Sequence, residues 1–163
     1  MLKNPQIIIV DDHLVYRESL KSILTSMNIA DIIGEASNGV EFIKILPQLK
    51  PDLVIMDIDM PQMNGIEATK KALKLFPNLK IIISSMFGDN KYRQQMNDLG
   101  IKAFVLKSGG INELEKVIQD VMNCSYLPFE PDNKIRPLTA FENDKNSEKS
   151  TVSENSQSYR NIL

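Results

Sequence analysis

Five short apolar runs, punctuated by segments of helical period, constrain this chain more than any other feature. The runs are Gln6–Val10, Asp31–Ala36, Leu53–Met56, Lys80–Ile83 and Lys102–Leu106. Three are nearly continuous and rich in β-branched residues, as strands covered on both faces require. Between them, Leu20, Ile23, Leu24 and Met27 fall at helical spacing, as do Leu114, Val117, Ile118 and Val121. Ile66, Thr69, Leu73 and Phe76 make a similar stripe. The segment from Val40 is weaker, because Pro47 is expected to end or kink it after Leu46. Asp89–Leu99 is the most polar helical segment, with Gly100 placed to follow its end. Strict alternation of strand and helix predicts an α/β protein with a five-stranded parallel sheet and five helices.

That pattern occupies residues 1–124. Beyond it the character changes: Glu142–Asn161 contains only Val152 and Tyr159 as apolar residues. Residues 125–163 are therefore expected to form a polar, largely disordered tail. A formal net charge of −2 gives no general attraction to nucleic acid or anionic membrane. No apolar run exceeds four residues, so no membrane span is expected. The single cysteine, Cys124, cannot form an intramolecular disulfide, which suits a reducing compartment. A soluble, cytoplasmic protein is the expectation.

Ligands of open parallel sheets bind beyond the carboxyl ends of the strands. Here the first strand ends in Asp11-Asp12, the third in Asp57, the fourth in Ser84-Ser85 and the fifth in Lys107. Clustered carboxylates repel one another unless a cation joins them, and hard oxygen donors suit Mg²⁺. A carboxylate can itself be a nucleophile, giving an aspartyl phosphate. An ammonium and a hydroxyl would offset the charge of a transferring phosphoryl group. The constellation reads as Mg²⁺-assisted phosphoryl transfer onto an aspartate. Each piece alone has a blander reading: Asp12 as a helix cap, Asp57 or Asp59 as turn residues, and the serines as small strand ends.

The ordered set "VDDH", "MDIDMP", "ISS" and "FVLK" resembles the receiver domain of bacterial two-component response regulators, and residues 6–123 carry the likeness. It implies a flavodoxin-like, doubly wound sheet of strand order 2-1-3-4-5. It also implies that Asp57, three residues before Met60, accepts the phosphoryl group. Asp11, Asp12 and Asp57 would ligate Mg²⁺, with the backbone carbonyl of Asp59 as a further ligand. The family's switch hydroxyl precedes its lysine by 22 residues, which selects Ser85 over Ser84. Phe104 matches the aromatic switch. Phosphorylation would draw Ser85 inward, turn Phe104 and reshape the face of the fourth helix, fifth strand and fifth helix.

The implied partners are a sensor histidine kinase or phosphotransfer protein and a downstream protein. A phosphorylation-dependent homodimer is compatible with this reading. Enzymatic activity would be limited to weak self-phosphorylation from small donors and autodephosphorylation. Two departures stand out: Ser108 follows Lys107 where many receivers have proline, and Asp59 adds a carboxylate beside the metal site.

"VDDHLVYRESL" and "YLPFE" are similar to the NarL/FixJ group, whose members usually continue into a DNA-binding helix-turn-helix. Here Leu138-Thr139-Ala140-Phe141-Glu142 leads into a polar stretch, and the tail from 124 has five Lys or Arg against six Asp or Glu. Direct DNA binding by this chain is not expected. A transcription regulator truncated before such a domain would share every receiver residue. A haloacid-dehalogenase-like phosphatase uses similar groups, but its Asp-x-Asp comes first and its acidic pair last. The order here is the reverse.

Overall fold

The computed structural model describes residues 3–86, 95–96, 98–101 and 103–123, all within one unit, Met1–Pro131. In chain order the elements are β1 (Gln6–Val10), α1 (Leu14–Ser26), β2 (Asp31–Ala36), α2 (Gly39–Leu49), β3 (Leu53–Asp57) and α3 (Gly65–Leu75). Then come β4 (Lys80–Ser85), β5 (Ala103–Leu106), a 3₁₀ turn (Lys107–Gly109) and α4 (Ile111–Met122). The five strands form one sheet in the order β2-β1-β3-β4-β5, with every pairing parallel. The sheet and its order match the expectation from sequence. The helix expected over Asp89–Leu99 lies mostly outside the described residues, as do the boundary after residue 124 and the tail.

Alternation along the strands builds two cores. Ile8, Val10, Val54, Met56, Ile81 and Ile83 face Phe42 and Leu46 of α2 and Ala68 and Ala72 of α3. Ile7, Ile9, Leu53, Ile55, Ile82 and Val105 face Leu20 and Leu24 of α1 and the apolar stripe of α4. The central strands need no polar face, which is why their runs are continuous. The chain leaves β1 toward β2 on one side and reaches β3 on the other. That reversal opens a crevice at the carboxyl ends of β1 and β3.

Two local readings need correction. Pro47 lies inside α2, which continues to Leu49. Its missing N–H falls in the last turn, and Lys50, in the left-handed region, closes the helix by donating to the Leu46 carbonyl at 3.2 Å. In α1, Leu20 and Leu24 are buried, but Ile23 and Met27 are exposed, because the buried stripe runs through Tyr16 instead. In α3 the expected stripe of Ile66, Thr69, Leu73 and Phe76 packs on the core, beside buried Ala68 and Ala72. Gly100, with φ +68°, sits where a left-handed residue was expected, and Ile101 donates back to the Met96 carbonyl at 3.1 Å. No cis peptide occurs among the described residues. No helix among them is long and apolar enough to cross a membrane.

Candidate phosphoacceptor site

The parallel register delivers the site residues. Val10, Met56, Ile83 and Phe104 lie in one row across β1, β3, β4 and β5, and the next row holds Asp57, Ser84 and Val105. Asp11 follows Val10 directly, so the Asp11 and Asp57 carboxylates emerge side by side. Both residues are buried, Asp11 at 2% exposure and Asp57 at 4%. Lys107, immediately after β5, reaches back between them. Its Nζ lies 2.6 Å from Asp11 Oδ2 and 3.2 Å from Asp57 Oδ2.

The turns around the acids are built to hold them. Asp57 Oδ1 accepts the Ile58 N–H at 2.9 Å, and Asp11 Oδ1 accepts the His13 N–H at 2.9 Å. The N-cap position of α1 falls on His13, without a side-chain cap bond, so Asp12 stands one residue before it. After β3, the Asn64 side chain caps α3 by accepting the Glu67 N–H. Gly65 packs against the end of β3, where a Cβ would come within 1.8 Å of the Asp57 carbonyl oxygen. "Asn64-Gly65" is thus a cap followed by the one residue small enough to lie against Asp57.

Burial raises the Asp57 carboxyl above its ordinary range, and the Asp11 charge adds to this, while Lys107 pulls the other way and does not prevail. Burial also works against the charged form of Lys107, but hydrogen bonding and charge from Asp11 and Asp57 outweigh it and raise the ammonium's value. The site therefore holds a charged lysine beside an Asp57 carboxyl that is costly to ionise.

Asp11, Asp12, His13 and Asp57 each present a ligand atom, and these atoms all lie within 4.8 Å of one another. Asp12 Oδ1 is buried without a hydrogen bond from any of the described residues. His13 Nδ1 is 2.9 Å away but not in hydrogen-bonding geometry. An orphaned carboxylate oxygen in a cluster of hard donors fits a divalent cation. Asp59 is exposed, and its side chain stands outside this cluster.

The two serines part company. Ser84 and Ser85 are both buried, but they point to opposite faces. Ser85 shares the face of Ile81, Ile83 and Phe104, whereas Ser84 shares that of Ile82 and Tyr16. Sequence reading missed two residues of α1. The Tyr16 ring lies under Lys107 Nζ, 4.7 Å from its centroid, and its hydroxyl is 3.5 Å from Ser84 Oγ. Arg17 donates to the Asp11 carbonyl and pairs with Glu35 on β2, which Lys21 also binds. The hydrogen bond from Lys21, with help from Arg17 and against burial, holds Glu35 below the ordinary carboxylate range. Spacing places Tyr16 on the buried side of α1, four residues before Leu20, but does not point it or Arg17 to the site.

The family model described as "Response regulator receiver domain" matches residues 7–119. The chain belongs to the response regulator receiver family. The receiver is 38% identical over 114 residues to the uncharacterized transcriptional regulatory protein YhcZ of Bacillus subtilis, covering 70% of this chain and 53% of that protein. It is 42% identical over 102 residues to the chemotaxis protein CheY of Thermotoga maritima, covering 63% of this chain and 84% of that one. Among solved structures it is similar to a LuxR-family DNA-binding response regulator from Staphylococcus aureus, at 29% identity and TM-score 0.69. That match covers 73% of this chain and 99% of the other. The receiver spans about half the length of curated relatives such as YhcZ.

Proposed function

We propose that this receiver is a phosphoacceptor of a two-component relay and that Asp57 takes the phosphoryl group. One observation carries the reading: the buried Asp57 carboxylate stands beside Asp11 and is bridged to it by Lys107. In the transfer, an Asp57 carboxylate oxygen forms a bond to phosphorus as the donor's bond to phosphorus breaks. The electron pair of the broken bond leaves with the donor. Lys107 moves its N–H donors from carboxylate to phosphoryl oxygen. An Mg²⁺ ion held by Asp11, Asp12, Asp57 and the Asp59 carbonyl would supply the positive charge that lets an anionic donor approach three carboxylates. Ser85, on the same sheet face as Phe104, would donate to a phosphoryl oxygen and couple occupancy of Asp57 to that face. The donor would be a sensor histidine kinase or phosphotransfer protein, and the output a protein contact on the face that includes β5 and α4. Cytoplasmic operation and homodimerisation on phosphorylation accompany this reading.

A second reading of the output is a transcription regulator. It is favoured by the match to the transcriptional regulatory protein DegU of Brevibacillus brevis, 28% identical over 160 residues. That match runs over 97% of this chain and 68% of DegU, and so extends past the receiver.

The test is intact-mass spectrometry after incubation with acetyl phosphate, with and without Mg²⁺, on wild type and Asp57→Asn. One Mg²⁺-dependent phosphoryl adduct on wild type and none on the variant is the expected result. An adduct that persists in the variant would remove Asp57 as the acceptor.

A further inference from the structure

Lys107 is held from three sides, and only two of them are carboxylates. An ammonium has three N–H donors in tetrahedral arrangement. Asp11 Oδ2 and Asp57 Oδ2 account for two directions, and the Tyr16 ring stands 4.7 Å from Nζ on another side. The side chain of Lys107 is 3% exposed, so the ring faces a desolvated cation, the condition in which cation–π attraction is strongest. Tyr16 itself is fixed from both ends: it packs on the α1–α4 core, and its hydroxyl meets Ser84 Oγ at 3.5 Å. Ser84 pairs in register with Asp57, so α1 touches both the acceptor's neighbour and its lysine.

We infer that Tyr16 is a positioning residue for Lys107, holding the ammonium over Asp57 by its ring, so that no third hydrogen-bond acceptor engages it and its carboxylate-bound N–H groups can pass to an incoming phosphoryl oxygen. This rests on the reading that Asp57 is the acceptor. The chemistry of the third partner matters. A carbonyl or carboxylate in place of the ring would accept the remaining N–H and compete with the phosphoryl group. An alternative without any π face would leave Lys107 able to settle on Asp11, the nearer carboxylate at 2.6 Å. The aromatic face attracts the charge without accepting a conventional hydrogen bond. Because the hydroxyl contact is long, the ring rather than the hydroxyl supplies the effect.

The experiment follows the rate of Mg²⁺-dependent phosphoryl adduct formation from acetyl phosphate on the full chain, for wild type, Tyr16→Phe and Tyr16→Leu. Tyr16→Phe is expected to stay within about twofold of wild type, and Tyr16→Leu to be slower by about tenfold. A series of increasingly fluorinated phenylalanines at position 16 keeps the shape and drains the ring face, so the rate is expected to fall stepwise along it. A purely structural Tyr16 would give a flat series. In NMR spectra, the Lys107 Cε protons are expected to be ring-current shifted upfield in wild type and Tyr16→Phe, and to lose that shift in Tyr16→Leu. An unchanged rate in Tyr16→Leu, or a flat fluorination series, overturns the inference. Failure of wild type to form any adduct would strike the acceptor reading instead, and the ring-current shift alone would then decide whether Tyr16 holds Lys107. If Tyr16→Leu does not fold, the fluorinated series, which removes no volume, decides the matter.

Discussion

At Asp57 the requirements of chemistry and of folding are opposed. Burial and the neighbouring Asp11 raise its carboxyl above the ordinary range, even with Lys107 beside it. The folded state therefore takes up a proton at higher pH than the unfolded chain does. Well above the raised value, the group is charged in both states and costs stability; as pH falls through that value, the folded state is protonated first and the cost is relieved. Asp57→Asn removes the cost, so in chelator-treated buffer at pH 7 the variant should be more stable than wild type by about 1 kcal/mol. Urea denaturation at several pH values checks this, and the advantage should shrink as pH is lowered toward the ordinary carboxylate range. A variant less stable than wild type at pH 7 would contradict the account. Lys107 answers to the converse argument. Lys107→Met leaves two buried carboxylates without their cation, and a loss of about 3 kcal/mol at neutral pH is expected. Lowering the pH should recover part of it, because protonating either acid ends the repulsion.

Elements bring these residues together, and α3 shows how tightly. Its first residue, Gly65, sits where a Cβ would come within 1.8 Å of the Asp57 carbonyl oxygen. Backbone cannot yield as a flexible side-chain tip can. Gly65→Ala is therefore expected to destabilise the protein by more than about 2 kcal/mol and to lower phosphoryl uptake, both readable by thermal melting and intact mass. One turn further on, Thr69 is fully buried and its hydroxyl has no partner among the described residues. Thr69→Val keeps the shape and removes an unsatisfied group, so a gain of about 1 kcal/mol is expected in the same melting assay. Strands such as Leu53–Asp57 were legible because burial on both faces writes itself as an unbroken apolar run. The acidic pair and Lys107 were legible because they end such runs. Tyr16 and Arg17 were not, because they reach the site sideways from a helix, and period alone does not say which turn meets the sheet's end. Pro47 misled for a related reason: a missing donor matters little in a final turn that Lys50 closes.

On the scale of the molecule, the sheet order places the reversal between β1 and β3 directly beneath the acidic cluster. The two cores pack on either side of the sheet beneath that crevice. A preformed site that the unfolded chain lacks ties metal binding to stability, by about 2.7 kcal/mol at one hundred times the dissociation constant. For a domain of this size that corresponds to a rise of several degrees in melting temperature, about 5 °C or more. Asp12 is the sharpest probe, because its buried Oδ1 makes no hydrogen bond with the described residues that a metal would have to replace. Wild type should melt progressively higher as Mg²⁺ is added, whereas Asp12→Ala should hardly respond. The Asp57→Asn variant, ahead of wild type in chelator, should lose its lead as the ion neutralises the carboxylates that made wild type the weaker fold. Parallel Mg²⁺ titrations of the three proteins by differential scanning calorimetry measure all of this at once. An Asp12→Ala curve that climbs alongside wild type would mean that the cation's stabilising contacts lie somewhere other than the crevice between β1 and β3.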